Sequence, residues 1–186
     1  MLKLHVLASG SKGNAAIVEN AATGAGVLID CGICKRDFLE RCDEAGFDPT
    51  RLEAVFITHE HGDHTKGLGV VLRGLAKLGY APMVYVNRAC VDNSSTLQKI
   101  AGDFETATLG AALTLSQDEN ASEGRNKASV CDERVVCAAG LRVLPFATSH
   151  DAAASFGFRV ESPDGDALGY ITDSGIITSA AHAALR

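Results

Sequence analysis

The segment Thr58-His59-Glu60-His61-Gly62-Asp63-His64 puts three of the chain's six histidines and one aspartate within six positions. With so few histidines available, the chance of His-x-His-x-Asp-His arising by accident is roughly one in two thousand, which makes a merely polar loop the poorer explanation. On an extended segment, residues two apart point the same way, so His59 and His61 can offer imidazole nitrogens to one metal ion. Beyond a bend expected at Gly62, a turn can aim the Asp63 carboxylate and the His64 imidazole at a second ion, the arrangement of two-metal hydrolysis. Asp63 would bind metal and also orient the attacking nucleophile.

This motif leaves its metals short of ligands. The best remaining candidates sit where predicted strands end, at His150 and at Asp173. Alone, such a histidine is an ordinary hydrogen-bonded loop residue, and such an aspartate a turn former or helix cap. The shortage upstream raises both to metal ligands. Two divalent ions are the cofactors that follow. A second neutral imidazole at position 61 suits zinc or manganese better than an oxygen-activating iron centre.

Other residues invite chemistry less strongly. Ser9-Gly10-Ser11-Lys12-Gly13-Asn14 can grip a phosphate with Lys12 and backbone amides, or can simply be a tight hairpin that needs glycine. Ser11, Lys12 and Asn14 are its candidate substrate residues. Asp151 can support a metal-bound imidazole or be a plain loop acid. Cys31-Gly32-Ile33-Cys34 has the spacing of a redox pair, but with no signal peptide and no second Cys pair, buried or idle thiols are expected. His5 shares a strand face with Lys3 and Leu7 and is expected to be a partly exposed bystander.

The elements that must position these groups are legible in the apolar pattern. Strands are predicted at Leu2–Ala8, Ala15–Glu19 and Val27–Asp30, a β-meander opening, followed by a helix at Lys35–Ala45 stopped by Gly46. Ala54–Thr58 reads as a buried strand running into the histidine motif, and Gly67–Leu78 as a helix with an apolar stripe. Pro82–Val86 is a strand, and Asn87 caps one helix running to about Ile100. Leu113–Leu115 is extended, and Ser116–Ser129 an exposed loop. Strands return at Val135–Ala138, Leu141–Ala147, Ser155–Glu161 and Ala167–Thr172, before a final helix from Thr178.

At 186 residues, 46% apolar and 22% charged, the chain has the size and composition of one globular domain, which excludes low-complexity disorder. No apolar run is long enough for a membrane span, so a soluble, cytoplasmic protein is expected. A net charge of −6 without any basic run argues against non-specific nucleic-acid coating but leaves room for a local phosphodiester site.

The glycine-rich opening, Leu28-Ile29-Asp30-Cys31-Gly32, the histidine motif, Ser149-His150-Asp151-Ala152 and Thr172-Asp173-Ser174-Gly175 together resemble the metallo-β-lactamase superfamily, in its YycJ/WalJ-like branch. The resemblance implies an α/β fold, an αββα sandwich with metals at one edge of two sheets. It also implies that His59, His61 and His150 hold one ion, Asp63 and His64 a second, and that Asp173 bridges them. Members of this branch are metal-dependent nucleases, including exonucleases on duplex DNA. The family pattern has a later histidine for the second metal that this sequence does not reach, and His182 follows Asp173 too soon to replace it. A domain truncated at its C-terminus is therefore expected.

The function expected is a metal-dependent phosphodiesterase acting on DNA through a hydroxide held by two ions. A small-molecule ester, thioester or lactone hydrolase is the alternative, since the same metals polarise carbonyls, and an inactive metal-binding fragment is the non-enzyme reading. The oligomeric state is open.

Overall fold

The structure, a computed structural model, describes residues 1–109 and 135–186. The extended stretch expected at 113–115 and the loop expected at Ser116–Ser129 lie outside the described residues.

The meander is present: β1 (Leu2–Ala8), β2 (Ala15–Asn20) and β3 (Gly26–Ile29) pair antiparallel in sequence order. The helix α1 (Lys35–Ala45) then carries the chain across, so β4 (Leu52–Phe56) joins β3 in parallel. Two further parallel strands, β5 (Met83–Val86) and β6 (Thr106–Thr108), complete a six-stranded sheet in the order β1 to β6. The second sheet is antiparallel, ordered β10-β9-β8-β7 from β7 (Val136–Ala138), β8 (Leu141–Ala147), β9 (Phe156–Glu161) and β10 (Ala167–Tyr170).

Period-two alternation sorts the side chains of the first sheet into two cores. Ile17, Leu28 and Val55 face a helical layer, while Val18, Val27, Ile29, Ala54 and Phe56 face the second sheet. The helical layer supplies Phe38 and Cys42 from α1, Leu68, Val71, Leu72 and Leu75 from α3 (Leu68–Ala76), and Leu97 and Ile100 from α5 (Ser95–Asp103). Between the sheets Phe56 and Phe158 lie with ring centroids 5.5 Å apart. Burying each such ring contributes about 1.5–3 kcal/mol. The helix α6 (Ser179–Ala184) packs on the outer side of β8, giving four layers, helix, sheet, sheet, helix.

Two expectations need correction. The helix from Asn87 to Ile100 is two helices, α4 (Arg88–Asp92) and α5, because Ser94 turns extended and caps α5 by accepting from Leu97 N at 3.3 Å. The turn expected at Gly62 is present as a single helical turn, α2 (Gly62–Thr65). His5 is not idle, since its Nε2 lies 2.7 Å from Glu19 Oε2 across the β1–β2 pair. A two-residue turn, Ala139-Gly140, joins β7 to β8 with both residues at positive φ. It is pinned to the first sheet by Asn20 Nδ2 donating to Ala139 O and by Ala139 N donating to Glu53.

Candidate metal centre

The loops that follow β1, β3, β4, β8 and β10 converge at one edge of the sandwich. They bring with them Asn14, Asp30, the histidine motif, His150 and Asp173. Backbone hydrogen bonds weld three of these loops together: Asn14 N donates to Asp63 O at 2.7 Å, Cys31 N to His64 O at 2.7 Å, and Gly32 N to Asn14 O at 2.8 Å.

Two groups of possible ligand atoms result. Nitrogens of His59, His61 and His150 lie within 4.8 Å of one another, and so do donor atoms of His59, His64 and Asp173. The rings of His61 and His150 present Nδ1 and Nε2 to each other at 3.2 Å. His59 is fully buried, and its Nε2 has no hydrogen-bond partner among the described residues, whereas Nδ1 is 3.0 Å from Thr58 Oγ1. Leaving a buried imidazole nitrogen unpaired is costly unless something else takes its lone pair. This orphaned atom, ringed by two more imidazoles on one side and an imidazole and a carboxylate on the other, fits a divalent cation of the kind that nitrogen and oxygen donors hold.

His64 is equally buried and has both nitrogens engaged. Its Nδ1 is 2.8 Å from Asp30 Oδ2, and its Nε2 is 2.8 Å from Asp173 Oδ2, 3.7 Å from Asp63 Oδ2 and 3.0 Å from Asn14 Nδ2. Burial depresses its pKa, but the hydrogen bond it donates to Asp30 and the charges of Asp30, Asp63 and Asp173 outweigh that and raise it. His59 shows the opposite balance: burial, then the charges of His64, His150 and His61, push it down to about 4. His59 is therefore neutral near pH 7, with its lone pair available.

Of the residues singled out in the sequence, His59, His61, His64, His150 and Asp173 come together in these two groups. Asp63 sits at the rim beside His64, with Asn14 Nδ2 3.4 Å from its Oδ2. Asn14 is buried and held by two hydrogen bonds to Gly10. Ser11, Lys12 and Asp151 are exposed and outside the groups, as is His182 on α6. The loop amides of Gly10, Gly13 and Asn14 are all taken by acceptors within the fold, so these three do not form an anion cradle.

Three residues had no role in the sequence reading. Asp30 is fully buried and accepts from Thr58 N at 2.9 Å, from Thr58 Oγ1 at 2.7 Å and from the His64 ring. Burial pushes its carboxyl up against the pull of these donors. The signal was an acid ending the apolar run Val27-Leu28-Ile29, where burial demands partners. Thr58 links Asp30 to His59. Glu60 Oε1 accepts from Ala153 N at 2.7 Å, tying the His150 loop to the motif. Asp30 and Asp173 are two of only three non-glycine residues at positive φ among those described, the strained backbone that functional sites favour.

The Cys31–Cys34 pair serves structure. Burial pushes the Cys31 thiol up to about 12, so it is not poised as a redox thiolate, and Cys34 Sγ caps α1 by accepting from Asp37 N.

Residues 26–186 match the family described as the beta-lactamase superfamily domain. The chain belongs to this family. Within the beta-lactamase superfamily it is similar to exodeoxyribonuclease WalJ of Streptococcus pneumoniae, 34% identical over 101 residues, which is 53% of this chain and 35% of that protein. The chain thus spans about a third of that relative's length. Among solved structures it resembles a diphosphatase of the PhnP family, with a TM-score of 0.66 and 20% identity over 100% of this chain and 71% of that one. It also resembles human tRNase Z, short form, with a TM-score of 0.64 and 20% identity over 96% and 71%. The fold is that of the metallo-β-lactamase fold protein YhfI of Bacillus subtilis, which the chain matches with a TM-score of 0.59 and 16% identity over 90% of this chain and 60% of that one. The similarity to WalJ agrees with the branch that the motifs resemble.

Proposed function

We propose that this member of the beta-lactamase superfamily is a metal-dependent phosphodiesterase that cuts DNA as an exonuclease. The buried, unpartnered Nε2 of His59 at the junction of the two donor groups carries the metal reading. The exodeoxyribonuclease relative supports DNA as the substrate. His59, His61 and His150 would hold one divalent ion, and Asp63 with His64 a second, with Asp173 reaching both. Zinc or manganese suits these donors. Bound there, such ions would supply a nucleophile at neutral pH and stabilise charge on the phosphoryl oxygens.

The chain's own residues then have distinct tasks. Asp63 orients the attacking water, and Asn14 Nδ2, 3.4 Å from its Oδ2, fixes that carboxylate. Asp30 holds the His64 tautomer through Nδ1, and Thr58 does the same for His59. The free thiols at Cys31, Cys34, Cys42, Cys90 and Cys137 suit a reducing cytoplasm.

Elemental analysis of the purified chain beside His59→Ala and His64→Ala, with turnover of DNA and of an activated phosphodiester, tests this. Two ions per chain, fewer in each variant, and phosphodiester cleavage are expected. Thioester or lactone cleavage without action on DNA would replace the reading with a small-molecule hydrolase, and metal binding without any turnover would mark an inactive domain.

A further inference from the structure

A groove of about 490 Å³ runs beside the metal centre between the β1–β2 loop, the loop after β3 and the N-terminal part of α1. Its floor includes Gly13 and Gly32, and its walls carry Lys12, Arg41 and Lys66. Gly13 lines the groove and its chain neighbour Asn14 places Nδ2 3.0 Å from His64 Nε2, so one loop borders both the groove and the site.

The groove gathers three cations on an acidic protein. The chain carries −6 overall, and Lys3, Arg36, Arg73, Arg88, Arg142 and Arg159 each rest on a carboxylate. Lys12, Arg41 and Lys66 are exposed and form no ion pair among the described residues. The groove's one carboxylate, Asp37, is 3.3 Å from Arg36 Nη2 and also feels the charge of Arg41, which leaves three cations against one acid in the groove. Lys66 Nζ donates to Lys12 O at 2.7 Å, which fixes the loop that presents Lys12. Three cations against one acid in a single trough, on an acidic protein, are suited to a chain of regularly spaced phosphates.

We propose that this groove binds the sugar-phosphate backbone of a DNA strand next to the scissile linkage, through Lys12, Arg41 and Lys66. The identity of the polyanion rests on the nuclease reading above. The cations position the strand without reading its sequence, because they reach phosphates and not base edges.

The test is binding of a fluorescent single-stranded oligonucleotide to the metal-free chain over a series of salt concentrations. Lys12→Gln with Arg41→Gln is the test variant, and Lys99→Gln, outside the groove, is the control. The double variant is expected to weaken binding at least tenfold and to reduce the slope of log K against log salt by about 1.4, since each phosphate contact on a single strand contributes about 0.7. Lys12→Arg with Arg41→Lys is expected to restore the slope, and Lys99→Gln to leave it unchanged. Unaltered affinity and slope in the double variant, or no oligonucleotide binding by the parent chain, would overturn the proposal. Turnover of an activated small phosphodiester by the metal-loaded parent separates the two readings. Turnover with unaltered oligonucleotide binding removes the groove alone, and a binding defect without parent turnover keeps the groove and removes the catalytic reading.

Discussion

His64 divides its two nitrogens between a fully buried carboxylate, Asp30, and the partly exposed pair Asp63 and Asp173. The buried side fixes the ring's orientation and, on the proposed function, the exposed side faces the reaction, so substitutions on the two sides should fail differently. Asp30→Asn keeps the shape but removes the anionic acceptor, and metal affinity is expected to drop about 10- to 100-fold in a metal titration. Asp151→Asn, at an exposed position, should leave affinity unchanged in the same titration. Asp63→Ala should cut turnover by about 10²- to 10⁴-fold while the melting curve stays near that of the parent, because the side chain sits at the rim. Undiminished turnover in that variant would remove Asp63 from the mechanism. At this scale the residue types announced themselves through spacing. The support from Asp30 and Thr58 did not, because a hydrogen bond between positions 28 apart leaves no local pattern.

Among the elements, the loops matter most, and glycine shows why. A Cβ on Gly32 would stand 1.5 Å from Asp63 O and 3.0 Å from Asn14 N, so the loop after β3 reaches the motif only because position 32 has no side chain. Gly32→Ala is expected to cost about 1–3 kcal/mol or more and to displace the motif, read as a lowered Tm together with lost metal. Gly62→Ala is the contrast, since a Cβ there meets nothing within 4 Å, and stability should hold within about 0.5 kcal/mol. The apolar stripes of α1 and α3 and the alternation of β8 and β9 were readable because burial on one face imposes a period. The break between α4 and α5 was not anticipated, since Ser94 fits a helix interior by pattern and becomes a cap only through its backbone turn.

For the whole molecule, stability should respond to both metal and acid. If the centre binds metal only when folded, a free ion at 100 times its Kd adds about 2.7 kcal/mol, and a chelator should lower Tm accordingly. Far from that centre, burial would raise the Glu19 pKa above 4.5, but hydrogen bonds from Lys3 and His5 outweigh it and hold the carboxyl lower. The stabilisation this gives is complete above about pH 4.5 and is lost as pH falls through the lowered pKa. Glu19→Gln should therefore melt below the parent at pH 7, and the gap should narrow on acidification. The sequence by itself determined the candidate ligand residues and most of the strand and helix succession, because histidine spacing and apolar periodicity are local signals that survive without coordinates, while the sandwich followed from the family resemblance that the motifs carry. Only the tertiary structure decided which donors meet. The grouping of His59 with both His150 and Asp173 and the buried Asp30 beneath His64 join residues 34 to more than 100 positions apart, and the packing of strands and sheets, not any run of residues, sets those distances.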